Sequence, residues 1–239
     1  MENQEQHLAA PAQDVASLRR SLAAHSLSVG QRLFVMGLNY IPTLHLIGIL
    51  CVGFWPGIGA LWRVSAIFAV IYLLPAVVAR IIVKAFPIRS QTLKLGSADF
   101  FKWWALANLQ MLFCRLPILE ELLRLIPVVY SAWLRLWGSR IGRLVFWSPG
   151  TQILDRSFVD VGDDVLFGAG VRVNPHVIVR NGQGENELIL APVKIGARAV
   201  VGGYSLLTAG SEIMPDEATH ACLLLPPFSK WHNGKRIKP

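Results

Sequence analysis

VGDDVLFGAGVRVNPH, residues Val161–His176, carries an apolar residue at every sixth position: Val161, Phe167 and Val173. The same count runs outward in both directions. Upstream it finds Ile141, Trp147 and Ile153; downstream it finds Ile195, Val201, Leu207 and Ile213. The position after each is often small (Gly142, Ser148, Gly162, Gly168, Gly196, Gly202). Four residues past each repeat start stands a compact or β-branched side chain, among them Val145, Thr151, Val165, Val171, Ala199, Ser205 and Ser211. A helix needs apolar recurrence near 3.6 and a sandwich strand near 2, so neither explains a period of six.

Such a period describes a solenoid. Three hexads make one triangular coil, with the large apolar residue pointing inward. The small position beside it lets strands turn and coils stack, and glycine serves where the turn needs an unusual backbone angle. The phased blocks give about three coils and the start of a fourth over residues 139–218. Two breaks interrupt them. Residues 158–160 add two positions at a corner, and residues 179–194 leave the coil and return at Ile195. An excursion from a rigid scaffold is where binding groups concentrate. Asp155-Arg156, just before the first break, reads as a local ion pair.

The segment ending at His176, with the returning Pro192-Val193-Lys194-Ile195-Gly196, resembles the active-site region of hexapeptide-repeat acyltransferases, including nodulation-type and sugar O-acetyltransferases. The resemblance covers roughly residues 139–239. The approach, Trp133-Leu-Arg-Leu-Trp-Gly-Ser-Arg-Ile-Gly142, is similar to membrane-linked members such as the C-terminal region of poly-lysine synthetases. Trp231-His-Asn-Gly234 is similar to the W-x-G-x-P-A ending of many members, with Lys235 and Arg236 standing where Pro-Ala would be.

The resemblance implies a left-handed parallel β-helix, a trimer, and acyl transfer from a CoA thioester that acts as co-substrate, with no permanently bound cofactor. His176 would be the general base toward an acceptor hydroxyl or amine, since an imidazole titrates near working pH. Asn174, Glu185 or Glu187 could orient its ring. Arg172, Arg180, Lys194 and Arg198 are the cations near in sequence for CoA phosphates; Gly202, Gly203, Ala209 and Gly210 offer backbone amides to the pantetheine arm. No second and third histidine accompany His176 in this region, so a three-imidazole zinc site is not expected. Cys51, Cys114 and Cys222 are too scattered for a metal or disulfide framework. Neither a G-x-S-x-G elbow nor a P-loop occurs, so no covalent intermediate is expected.

The other half of the chain is apolar. Overall 53% of residues are hydrophobic and 16% charged, with a net charge of +8 and a mean hydropathy of +0.46. The basic residues are thinly spread and flank apolar runs, which suits an anionic membrane better than nucleic acid. No charged residue lies between Arg32 and Arg63, and Val64 to Val83 is broken only by Arg80. Each run is long enough to span, so residues 33–84 read as a two-helix transmembrane hairpin, with His45 as a satisfied polar group in mid-span. Arg19, Arg20 and Arg32 before it, and Arg80, Lys84, Arg89 and Lys94 at its end, place both termini in the cytoplasm. That describes a multi-pass protein of a bacterial-type inner membrane, with residues 1–32 as a cytoplasmic segment. In residues 85–138, Glu120, Arg124, Ser131 and Arg135 form one stripe. Helices of that kind fit the bilayer interface with the polar stripe outward, and Pro127 kinks or restarts the second. Residues 219–239 are left as a tail. The partners expected are acyl-CoA or an acyl-carrier protein and a lipid-like or membrane-associated acceptor. The alternative is a non-catalytic repeat scaffold of a membrane-bound biosynthetic assembly.

Overall fold

A computed structural model describes residues 27–88, 91–182 and 186–237. Two long apolar helices come first, α1 (Val29–Gly53) and α2 (Ala60–Ala85), each long and apolar enough to cross a membrane. Within α1 the helical hydrogen bonding is interrupted at Tyr40, just before Pro42. In α2 a π-turn over Ala69–Leu73 precedes Pro75, and Leu74 N–H bonds Ala69 O. The next donor in that register would be Pro75, which has none. Val70 O is left over and accepts instead from His45 Nε2 at 2.8 Å. The mid-helix histidine is thereby satisfied by a neighbouring backbone.

Three shorter helices follow. Helix α3 (Ala98–Arg115) is capped by Ser97, whose Oγ accepts from Phe100 N–H. Helix α4 (Ile118–Arg124) ends before Pro127, and α5 (Val129–Trp137) restarts after it and closes on Gly138 at φ +106°. The polar stripe faces inward, against expectation. Glu120 and Ser131 are buried, Arg124 donates to Thr151 O at 2.7 Å, and Arg135 donates to Ile141 O at 2.8 Å. Leu122, Leu125, Ile126 and Val128 are exposed instead. The reason is local. The first coil offers α4 and α5 a rim of unpaired carbonyls, and those groups need donors once covered.

The repeats form a three-sided parallel β-helix. One face runs β2 (Arg140–Ile141), β5 (Val159–Val161), β10 (Val193–Ile195), β13 (Glu212–Ile213) and β15 (Lys230–His232), and β16 (Lys235–Ile237) folds back antiparallel on it. The second holds β3 (Phe146–Trp147), β6 (Leu166–Phe167) and β11 (Val200–Val201). The third holds β4 (Gln152–Ile153), β7 (Arg172–Asn174), β12 (Leu206–Thr208) and β14 (Leu224–Leu225). The register sets Ile141 beside Val161 and Trp147 beside Phe167, as counting by six requires. Stacking continues past Ala218, where the sequence reading ended it: Leu225 pairs with Leu207 and Trp231 with Ile213. One apolar core runs from Tyr72 and Ala76 of α2 through Trp133 and Trp137 to the coil interior.

The glycines serve both expected uses, but at different places: Gly150, Gly170 and Gly210 take left-handed angles (φ +67° to +75°), while those following the inward residues make room for the next coil. A Cβ on Gly162 would lie 2.5 Å from Ala197 N, so the small residue is required by the backbone of the next coil. Other left-handed angles fall two residues later, at Leu144, Asp164, Arg198 and Tyr204 (φ +53° to +60°). The preceding coil's turn holds such residues there, as when Asp164 N–H bonds Arg143 O at 2.9 Å.

Candidate active site

The corner between the third and first faces is where the chain leaves the coil. After β7, Pro175 ends the strand. His176 then opens a hairpin, β8 (His176–Arg180) against β9 (Asn186–Leu190), and β1 (Thr92–Lys94) adds antiparallel to β9. The excursion is therefore a three-stranded sheet, with one strand supplied from before α3. It starts at His176 itself, three residues earlier than the sequence break suggests.

One coil below, the same corner carries Asp155, in a left-handed conformation (φ +48°). Its side chain is buried. One carboxylate oxygen accepts a short hydrogen bond from His176 Nδ1, and the other accepts from Trp103 Nε1 at 2.8 Å. Trp103 comes from α3, and its ring meets the imidazole edge-on with centroids 5.0 Å apart. The imidazole is thus fixed by a carboxylate on one side and an indole ring on the other, which leaves Nε2 as its remaining nitrogen. Burial pulls the His176 pKa down, and the hydrogen bond and charge of Asp155 outweigh it, so the net shift is upward.

Asp155 does not pair with Arg156, as adjacency had suggested; the two point into different networks. Arg156 is buried among Phe113, Trp133 and Trp137. It bonds Glu120 through Nη2 and Gln110 Oε1 through its backbone N–H at 2.8 Å. Glu120 in turn accepts from Tyr130 Oη at 2.5 Å and from Arg124 at 3.2 Å. Burial and the Glu120 charge push the Tyr130 phenol far up, so it stays a donor. Burial opposes the Arg156 charge, and Glu120 more than offsets it.

Of the expected orienting groups, Asn174 and Glu187 lie among the described residues. Asn174 has a buried Oδ1 without a hydrogen-bond partner among the described residues. Glu187 accepts from Asn181 at 2.9 Å on the hairpin. Glu185 lies outside the described residues. The expected CoA-binding residues spread around the prism. Gly210 turns the same corner as His176, its N–H bonding Ala191 O. Arg172 lies on the third face beside Gln152 and Leu206, and Lys194 on the first beside Asp160 and Glu212. Gly202 and Gly203 turn the corner between the second and third faces. Arg198, between the first and second, is held by Asp216 at 2.5 and 2.7 Å, and that pair raises its pKa. Of the two groups that fix His176, Asp155 was paired with its neighbour by adjacency, and Trp103 was not singled out from the sequence. Counting coils would have found the first. Ile153 and Val173 are register partners, so the residue two past Ile153 stacks near the residues two and three past Val173.

No protein-family model matches the chain, and no curated protein matches it by sequence. Solved structures do. A maltose O-acetyltransferase from Clostridium difficile 630 aligns at 17% identity and a TM-score of 0.38, over 54% of this chain and 85% of its own. A galactoside acetyltransferase in complex with coenzyme A aligns at 12% and 0.33, over 51% and 78%. A hexapeptide-repeat containing acetyltransferase from Vibrio cholerae O1 biovar eltor, complexed with acetyl coenzyme A, aligns at 16% and 0.36, over 55% and 88%.

Proposed function

We propose that this chain is an acyltransferase of left-handed β-helix type, anchored to a membrane by α1 and α2, with His176 as general base. The observation that carries this reading is the His176–Asp155–Trp103 arrangement at the corner where the coil is interrupted. Nδ1–H is committed to the carboxylate, so the neutral ring presents its lone pair at Nε2. That atom would take the proton of an acceptor hydroxyl or amine as the acceptor oxygen or nitrogen attacks the thioester carbonyl. The C–S bond then breaks, the acyl group joins the acceptor, and the thiolate of the donor takes up a proton. Asp155 stabilises the imidazolium formed in that step and keeps the ring in one tautomer. Trp103 holds Asp155 and shields the pair from water on the α3 side.

The donor we propose is a CoA thioester, and the protein a homotrimer; Arg172 and Lys194 are the exposed cations available to its phosphates. The acceptor is membrane-associated in this reading, because the anchor and the catalytic corner share α3. Purified protein with acetyl-CoA and a panel of hydroxyl and amine acceptors tests it by thiol release. His176→Ala should lower the rate by about 10²–10⁴-fold. Equal release by both proteins, with the variant shown to be folded, overturns the catalytic assignment.

A further inference from the structure

The long apolar helices and the coil meet in a way that limits how the protein can sit in a bilayer. Tyr72 lies midway along α2. Its Oη donates to Leu119 O at 3.0 Å, and its carbonyl accepts from Trp133 Nε1 at 2.9 Å. One and two turns further on, Ala76 and Ala79 are fully buried in the core shared with α5 and the first coil, and Arg80 donates to Arg135 O at 2.6 Å. The helices seated there bring polar groups with them. Glu121, with 31% of its side chain exposed, accepts from Gly150 N–H at 2.9 Å. Arg124 beside it holds Thr151 O.

If α2 crossed the hydrocarbon, which is about 30 Å thick, this half-exposed polar rim would sit near the middle of it. Its groups are hydrogen-bonded, yet a charged side chain at that depth still costs about 2.5–3.5 kcal/mol. The part of α2 free of that rim, from Ala60 to Tyr72, rises only about 18 Å at ~1.5 Å per residue. That matches one leaflet and falls short of two. Yet much of the exposed surface of both helices is apolar: Leu33, Phe34 and Leu50 on α1, with Leu61, Val77 and Ile81 on α2, are all exposed. Near the Tyr72 level, Leu122, Leu125 and Ile126 add to them.

We infer that the hairpin is re-entrant. It enters a single leaflet obliquely, turn first, with the outer faces of α1 and α2 and the α4–α5 edge against lipid. Turn and catalytic corner then lie on the same side of the bilayer midplane. The occupant of the apolar surface is one lipid leaflet, and this inference rests on the membrane-anchor reading above. It deepens that reading by replacing two full spans with one shallow insertion.

The test uses the full chain with Gly59→Cys, a position in the interhelical turn where an added side chain meets nothing within 4 Å. Native Cys222, exposed on the coil, serves as the side marker. Sealed membrane vesicles of each orientation, from expressing cells, receive an impermeant maleimide, and peptide mapping reads each position. The expected result is labelling of Cys222 from one face only. The thiol at position 59 should be silent from both faces and react fully once detergent is added. Labelling of position 59 from the face opposite Cys222 means that the hairpin crosses, which overturns the inference and leaves the anchor intact. Labelling from the same face as Cys222, or recovery of the chain in the soluble fraction, overturns the anchor reading itself.

Discussion

Replacing Asp155 with Asn removes the charge and keeps the shape, and its consequences can be worked from two bonds. The carboxylate accepts from His176 Nδ1–H and from Trp103 Nε1–H. An amide offers only one accepting oxygen, and Trp103 can only donate, so the NH2 group turns toward the imidazole. Nδ1 must then accept, the proton moves to Nε2, and the atom assigned as base loses its lone pair. A general base contributes about 10²–10⁴-fold, so kcat/KM in the acetyl-CoA assay should fall by about that factor. Asp155 is buried, and a hydrogen bond to a charged group is worth roughly 1.5–3 kcal/mol, so unfolding midpoints should drop accordingly. The His176 pKa, followed by NMR of the ring protons, should lose its upward shift, since burial alone lowers it. A His176 pKa and pH–rate profile that do not move in Asp155→Asn refute the reasoning, whatever the fall in rate.

Three further outcomes are expected. In the unaltered protein, the rate should climb as pH rises through the raised pKa of His176, because only the neutral ring accepts a proton; the stability contributed by the pair should be full below about 6.5, the unfolded histidine value, and fade as pH passes the raised one. Glu120→Gln leaves the Arg156 guanidinium buried without its counter-charge, and chemical denaturation should show a loss of about 3–5 kcal/mol. Gly162→Ala drives a methyl against the Ala197 backbone, and calorimetry should register about 1–3 kcal/mol of destabilisation; a neutral result would mean that the coils can separate to admit it.

The hexads were legible because each inward residue is chosen by its own coil, so the period survives in the linear string from Ile141 to Ile213. Trp231, three hexads past Ile213, continues the same count and was set aside only because its surroundings read as a tail. His176 was legible from the motif leading to it and the excursion after it. Asp155 was not, since its partner is 21 residues away in sequence and its neighbour Arg156 offered a simpler match. The stripe of Glu120, Arg124, Ser131 and Arg135 shows a related limit. Periodicity locates a polar face, but which way it turns depends on what the facing surface lacks, and here the first coil lacked donors. The strand Thr92–Lys94 is three residues long, and nothing in three residues predicts a partner at Leu188.

That short strand has a consequence for how the molecule can be divided. Thr92 pairs with Ile189, so the sheet that His176 opens closes only when chain from both halves is present. The pairing is long-range, so nascent Thr92–Lys94 must wait for Asn186–Leu190, made long after it. A fragment starting at residue 139 would keep every coil and still fail as an autonomous unit. Its outer strand would present an unpaired edge, an invitation to a second chain, and the two buried leucines behind that edge, Leu188 and Leu190, would lose Leu93 and Phe100 from their cluster.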